Sequence, residues 1–209
     1  MNDAERRSAL EAIAGEVTAC TRCRLHEGRT HPVPGEGTAA TEVMFVGEGP
    51  GQNEDLQGRP FVGRAGDLLV KLLASIGWAR GEVFITNVVK CRPPGNRDPS
   101  PDEIATCRAY LDRQIDLLRP RLVVTLGRFS MERYFPGASI SRIHGQPKRV
   151  GSVIYYPMFH PAAALHQPRW KTLLDEDFAR LPGLLEQLEQ IEEQEDQPRP
   201  PQAEQLSLF

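Results

Sequence analysis

Four short apolar runs constrain this chain most. Glu42–Val46, Val83–Val89, Leu122–Leu126 and Val153–Phe159 are rich in Val, Ile, Leu and Phe and lack clean apolar–polar alternation. Runs of that kind suit strands buried on both faces, which means a parallel sheet with helices covering each side. Helical patterns lie between them, so the fold class expected is α/β. Ligands in such folds bind beyond the carboxyl ends of the strands. Those ends carry GEGPG, TNVVKC, LGR and FHPAAAL, and the active site is expected there.

The helices follow from spacing and end signals. Residues 3–19 and 64–78 place apolar side chains at helical intervals. Pro101 suits the first position of a helix running to about Leu118, with Ser100 as its cap. A short helix is expected over Gly127–Phe135, and 170–194 reads as helical with a break near Pro182. Residues 24–41 and 47–63 read as loops, and CRPPGNRDPSP (91–101) has too many prolines for regular structure.

The stretch MFVGEGPGQNED (44–55) begins like a nucleotide-binding loop. Its glycines match neither the dinucleotide nor the Walker pattern. Its charge also opposes phosphate, because Glu48, Glu54 and Asp55 are acidic and no Lys or Arg lies between Met44 and Gly58. A neutral, flat ligand with hydrogen-bonding edges suits it better.

The 209 residues suggest one domain, 1–194, and a short tail, 195–209. No apolar run reaches the ~20 residues of a membrane helix, and the N-terminus lacks a signal-peptide core. A cytoplasmic, nucleoid-associated monomer is expected. The net charge of −3 is unevenly spread. Seven acids and one base lie from Glu186 onward, leaving the body near +3 and weakly compatible with a polyanion.

The chain has four cysteines: Cys20, Cys23, Cys91 and Cys107. Disulfides are not expected in a cytoplasmic chain of this size. Four thiolates hold either zinc or an iron–sulfur cluster, and spacing leaves both open. The wide separation of Cys91 from Cys107 sits better with a cluster. Four thiolates leave no open coordination position, so the metal is expected to be structural, pinning the N-terminal segment to the 91–107 loop.

Together CTRC, GEGPGQNED, GRPFVGRAG, ITNVVKCRPP, Cys107 and HPAAAL resemble the family 4 (iron–sulfur) uracil-DNA glycosylases over roughly residues 17–185. The resemblance implies a three-layer α/β/α sandwich around a four-stranded parallel sheet. It implies a structural 4Fe–4S cluster on the four cysteines. It also implies hydrolysis of the N-glycosidic bond of deoxyuridine in single- or double-stranded DNA, the first step of base excision repair. The family's base-binding residues map to Glu48, Gly49, Phe61 and Asn87, and leaving-group stabilisation maps to His160, with Glu48 beside it in catalysis. The chemistry suits those roles: Phe61 offers a flat face, Asn87 offers donor and acceptor to O4 and N3–H of uracil, and a neutral His160 can donate to O2.

Arg92, Arg97, His144 and Leu165 are the expected DNA contacts, Leu165 as a wedge beside the extruded base. His166 stands where the family commonly has Arg. His144 carries a second reading, since a related branch uses a histidine in a comparable loop to attack the abasic sugar and stay cross-linked. A third reading is a metal-stabilised DNA or clamp adaptor without turnover. The chain ends Gln205-Leu206-Ser207-Leu208-Phe209, which resembles the peptide by which bacterial repair proteins bind the sliding clamp.

Overall fold

A computed structural model describes residues 1–195. The expected tail, with the clamp residues Gln205, Leu206, Leu208 and Phe209, lies outside the described residues. The chain begins with α1 (Asp3–Ala19), closed at its start by a capping box. Asn2 Oδ1 accepts from Glu5 N–H and Glu5 Oε2 accepts from Asn2 N–H, both at 2.9 Å. Such a cap contributes about 1 kcal/mol. The elements that follow are α2 (Leu25–Gly28), β1 (Glu36–Gly37), β2 (Val43–Gly47), α3 (Gln52–Gln57), α4 (Arg64–Ser75) and β3 (Phe84–Asn87). Then come α5 (Pro101–Leu118), β4 (Leu122–Leu126), α6 (Arg128–Glu132), α7 (Ile140–Ile143), β5 (Lys148–Val150) and β6 (Val153–Met158). Three helices finish the described chain: α8 (Pro161–Ala164), α9 (Pro168–Ala179) and α10 (Leu181–Glu195).

The sheet has six strands in the order β1-β3-β2-β4-β6-β5. The four apolar strands pair in parallel at its centre. The expected sheet of four is therefore extended by two antiparallel edge strands, β1 against β3 and β5 against β6. Successive residues of the central strands feed opposite faces. Phe45, Ile85 and Val124 join a core with α4, α9 and α10. Met44, Val46, Phe84 and Val123 join another with α5. Phe45 stacks on Phe178 of α9 at 5.8 Å. Helix α1 lies on α5, with its Leu10 packed against the second core.

Two segments read as loops contain short elements. Residues 24–41 hold α2 and β1, and 47–63 hold α3. The break near Pro182 falls at Arg180, because Pro182 occupies the first turn of α10, where its missing N–H costs no helical bond. From β2 the chain moves to β3 on one side, then crosses back to β4 on the other. That reversal puts a crevice at the carboxyl end of β2, where the glycine-rich loop begins.

Candidate active site

A cavity of about 270 Å³ opens at that crevice. It is lined by Glu48, Gly49, Phe61, Asn87 and His160 among others, so all five predicted base-site residues meet in one place. Its size is just below the ~300–1,000 Å³ of ordinary small-molecule pockets and suits one flat ring.

Parallel register brings the first pair together. Gly47 and Asn87 are partners at the ends of β2 and β3. A Cβ on Gly47 would come within 2.4 Å of Asn87 Oδ1 and 2.8 Å of the Phe61 ring. Glycine at 47 is thus what lets the amide and the ring converge. Asn87 is buried, and its Oδ1 has no partner among the described residues. A buried unpaired acceptor is costly, and Asn87 lines a cavity from which a ligand N–H could satisfy it.

Phe61 is buried beside the cavity at φ 50°, in the left-handed region. For an aromatic residue that conformation costs roughly 1–3 kcal/mol and persists only when its surroundings hold it. Its ring lies 5.5 Å from that of His160 at an interplanar angle of 27°. His160 caps α8, with Nδ1 accepting from Ala162 N–H at 3.1 Å. That bond leaves Nε2 as the protonated nitrogen of the neutral ring. Burial pushes the imidazole down to about 4, against a smaller opposing effect of the Glu54 charge. The ring is therefore a neutral hydrogen-bond donor near pH 7.

Glu48 is half-buried, and burial raises its carboxyl above the ordinary carboxylate range. Asp98 adds to that effect and Arg128 opposes it. The other two acids of the loop serve as braces. Asp55 is buried and accepts from Thr30 N–H at 2.8 Å. Glu54 accepts from Gly51, Val62 and Gly63. Two of the three charges that argued against phosphate are thus spent on backbone N–H groups, Glu54 within this loop and Asp55 on the 24–41 segment.

The uracil DNA glycosylase superfamily model matches residues 34–189. The type-4 uracil-DNA glycosylase of Sulfurisphaera tokodaii is 49% identical over 183 residues, covering 83% of each chain. That of Archaeoglobus fulgidus is 44% identical, covering 83% of this chain and 92% of its own. The chain belongs to the type-4 uracil-DNA glycosylase family. A segment of the DNA polymerase of Bacillus phage SP01 is also 30% identical, covering 78% of this chain and 18% of the polymerase.

In this type-4 chain the four cysteines line a second, small cavity between α1, α2, the end of β3 and α5. Cys91 and Cys107 are buried, and Cys20 and Cys23 half-exposed. Arg29 Nη1 donates to Cys91 Sγ at 3.1 Å, and Lys90 N–H to Cys107 Sγ at 3.3 Å. Such donors favour thiolates over thiols. Among the described residues no three His, Cys, Asp or Glu side chains close up around a single metal ion.

The expected DNA contacts do not gather in the pocket. Only Arg97 lines it, and its guanidinium is engaged by Glu103. Arg92 Nε donates to Asn96 Oδ1 at 2.7 Å. Leu165 is partly buried against the main core. His144 is not among the pocket's lining residues; its ring is 4.8 Å from that of Phe159 and its Nδ1 2.8 Å from Asp177 Oδ2. Sequence reasoning missed Glu54, Arg80, Glu103 and Arg128. Glu54 was in plain view within the glycine motif and was read only for its sign.

Proposed function

We propose that this type-4 uracil-DNA glycosylase takes a deoxyuridine extruded from DNA and hydrolyses its N-glycosidic bond, releasing uracil and leaving an abasic site. The observation that carries the reading is that Asn87, whose Oδ1 has no partner among the described residues, lines the same cavity as Phe61 and His160. Uracil N3–H would donate to that oxygen while the amide N–H₂ donates to O4. Cytosine presents the opposite pattern and would leave buried groups unpaired. Phe61 supplies the stacking face, and backbone N–H groups near Gly49 reach toward O2. The C1′–N1 bond breaks with its electron pair going to uracil, and His160 Nε2–H stabilises the charge that reaches O2. Glu48 orients the attacking water or offsets the cationic sugar. The base reaches this site only by leaving the stack.

Cys20, Cys23, Cys91 and Cys107 are the residues that would hold a 4Fe–4S cluster. When bound it supplies no step of the hydrolysis and ties the N-terminal segment to the 91–107 loop. The four-thiol donor set lining one small cavity, the hydrogen bonds to two of its sulfurs and the kinship with type-4 glycosylases support a cluster. No helix among the described residues is long and apolar enough to cross a membrane. The Q-L-S-L-F end is the proposed handle for a sliding clamp beside the nucleoid. Deleting 205–209 is expected to abolish clamp binding and spare activity on short oligonucleotides.

One incubation with a labelled uracil-containing oligonucleotide tests the activity. Alkali-labile product without a protein adduct is the expected result. A stoichiometric adduct lost in His144→Ala would favour the cross-linking reading. DNA binding with neither product would favour the adaptor.

A further inference from the structure

Phe61 is held in its left-handed conformation from two sides. Glu54 Oε1 accepts from the two N–H groups that follow the ring, Val62 at 2.8 Å and Gly63 at 2.9 Å. Its Oε2 accepts from Gly51 N–H at 3.1 Å, in the glycine-rich loop. One carboxylate therefore joins two segments that line the base pocket, the glycine-rich loop and the turn that carries Phe61. From outside the pocket, Arg80 donates through Nη1 to the Phe61 carbonyl at 3.1 Å and through Nη2 to the Pro60 carbonyl. Gly66 makes room for this arrangement, since a Cβ there would fall 2.0 Å from the Phe61 carbonyl oxygen.

We infer that Glu54 is a positioning residue for base recognition: it acts through Phe61, fixing the ring that stacks on the base relative to the glycine-rich loop. All three of its partners are N–H donors, so the group must be an acceptor at both oxygens. An amide of the same shape turns an N–H₂ toward at least one of those donors and leaves it unpaired. The inference rests on the uracil-excision reading.

The test uses the full-length protein with Glu54→Gln, Arg80→Met and Phe61→Ala, singly and combined. Free-uracil affinity is read from product inhibition, and affinity for abasic-site DNA is read separately. Glu54→Gln and Arg80→Met should each weaken uracil by about tenfold, with KM rising and abasic-DNA affinity unchanged. In the Phe61→Ala background both effects should vanish, since they act through the ring. Equal effects of Glu54→Gln with and without Phe61, or unchanged uracil affinity, would overturn the inference. If Glu54→Gln does not fold, Glu54→Asp decides, because it keeps the charge and shortens the reach to Val62 and Gly63: weaker uracil with abasic-DNA affinity unchanged supports the inference, and unchanged uracil affinity overturns it. Wild-type protein that releases no uracil from DNA would sink the excision reading; direct binding of free uracil to wild type and variants would still decide the role of Glu54.

Discussion

Arg97 lays both terminal nitrogens on the Glu103 carboxylate, Nη1 2.9 Å from Oε2 and Nη2 2.7 Å from Oε1. Glu103 is wholly buried, and it also accepts from Arg24 Nε at 2.9 Å and Ser100 N–H at 2.8 Å. Arg24 follows Cys23, whereas Arg97 lines the base pocket. One carboxylate thus ties the cysteine site to the pocket wall. That bond leaves Arg97 less available to a DNA phosphate than its place in a basic loop suggests.

Glu103→Gln should therefore cost stability. Removing one partner of a buried pair typically costs about 3–5 kcal/mol, and the partial exposure of both arginines puts this case at the low end. The bond from Arg97 holds the carboxyl far below its ordinary range. Its contribution is complete above the unfolded value of about 4.3 and is lost as pH falls below it. Urea melts of wild type and variant should differ by about 3 kcal/mol at pH 7 and converge in acid.

Asn87 can be tested by changing what it donates. Asn87→Asp keeps the shape, removes the N–H₂ and sets a negative oxygen against uracil O4. Uracil excision should fall on the order of 10³-fold in kcat/KM, while the loss of discrimination against cytosine appears in matched oligonucleotides. A variant that keeps wild-type preference would remove Asn87 from base recognition.

His160 offers a linkage test that is separate from activity. Its folded value of about 4 lies below the ~6.5 of an unfolded histidine. The native state resists the proton that the unfolded chain accepts, so stability is complete above pH 6.5 and declines as pH falls toward 4. Between pH 7 and 5 wild type should lose about 2 kcal/mol more than His160→Gln. The same variant should lose about 10²–10³-fold in kcat at neutral pH. Parallel pH curves for the two proteins would contradict the desolvated neutral ring.

Much of this fold was legible because its elements announce themselves locally. Helices α1 and α5 have strong start signals, Asn2 with Glu5 and Ser100 with Pro101 and Glu103. The central strands are unbroken apolar runs. The edge strands were hidden for the opposite reason. Strand β1 has two residues, and Lys148–Val150 is exposed throughout, so neither leaves a burial pattern to read. Helix α3 buries only Asp55 and presents no apolar stripe. The pocket residues were legible from motifs in order, but their supports were not. Arg24 and Glu103 lie 79 positions apart, and Arg80 and Phe61 lie 19 apart. Only the folded chain brings such pairs together.

The cysteine site predicts a graded loosening rather than general collapse. Val17, Leu25, Val89 and Tyr110 pack with Cys91 and Cys107 in a small core separate from the two that flank the sheet. Without a cation, burial pushes the Cys107 thiol up to about 11 and raises Cys91 as well, so neither is a ready ligand until metal displaces its proton. Cys107→Ser should abolish iron and the broad visible absorption of the purified protein. Hydrogen exchange should then accelerate in the second half of α1, around Ile13 and Val17, and in residues 20–30, which reach the body through this core and a few polar links. The central strands should stay protected, because their two cores share none of the four thiols. Uniform acceleration across the sheet would mean that the metal site holds the whole fold, and colourless wild-type protein containing zinc would displace the cluster.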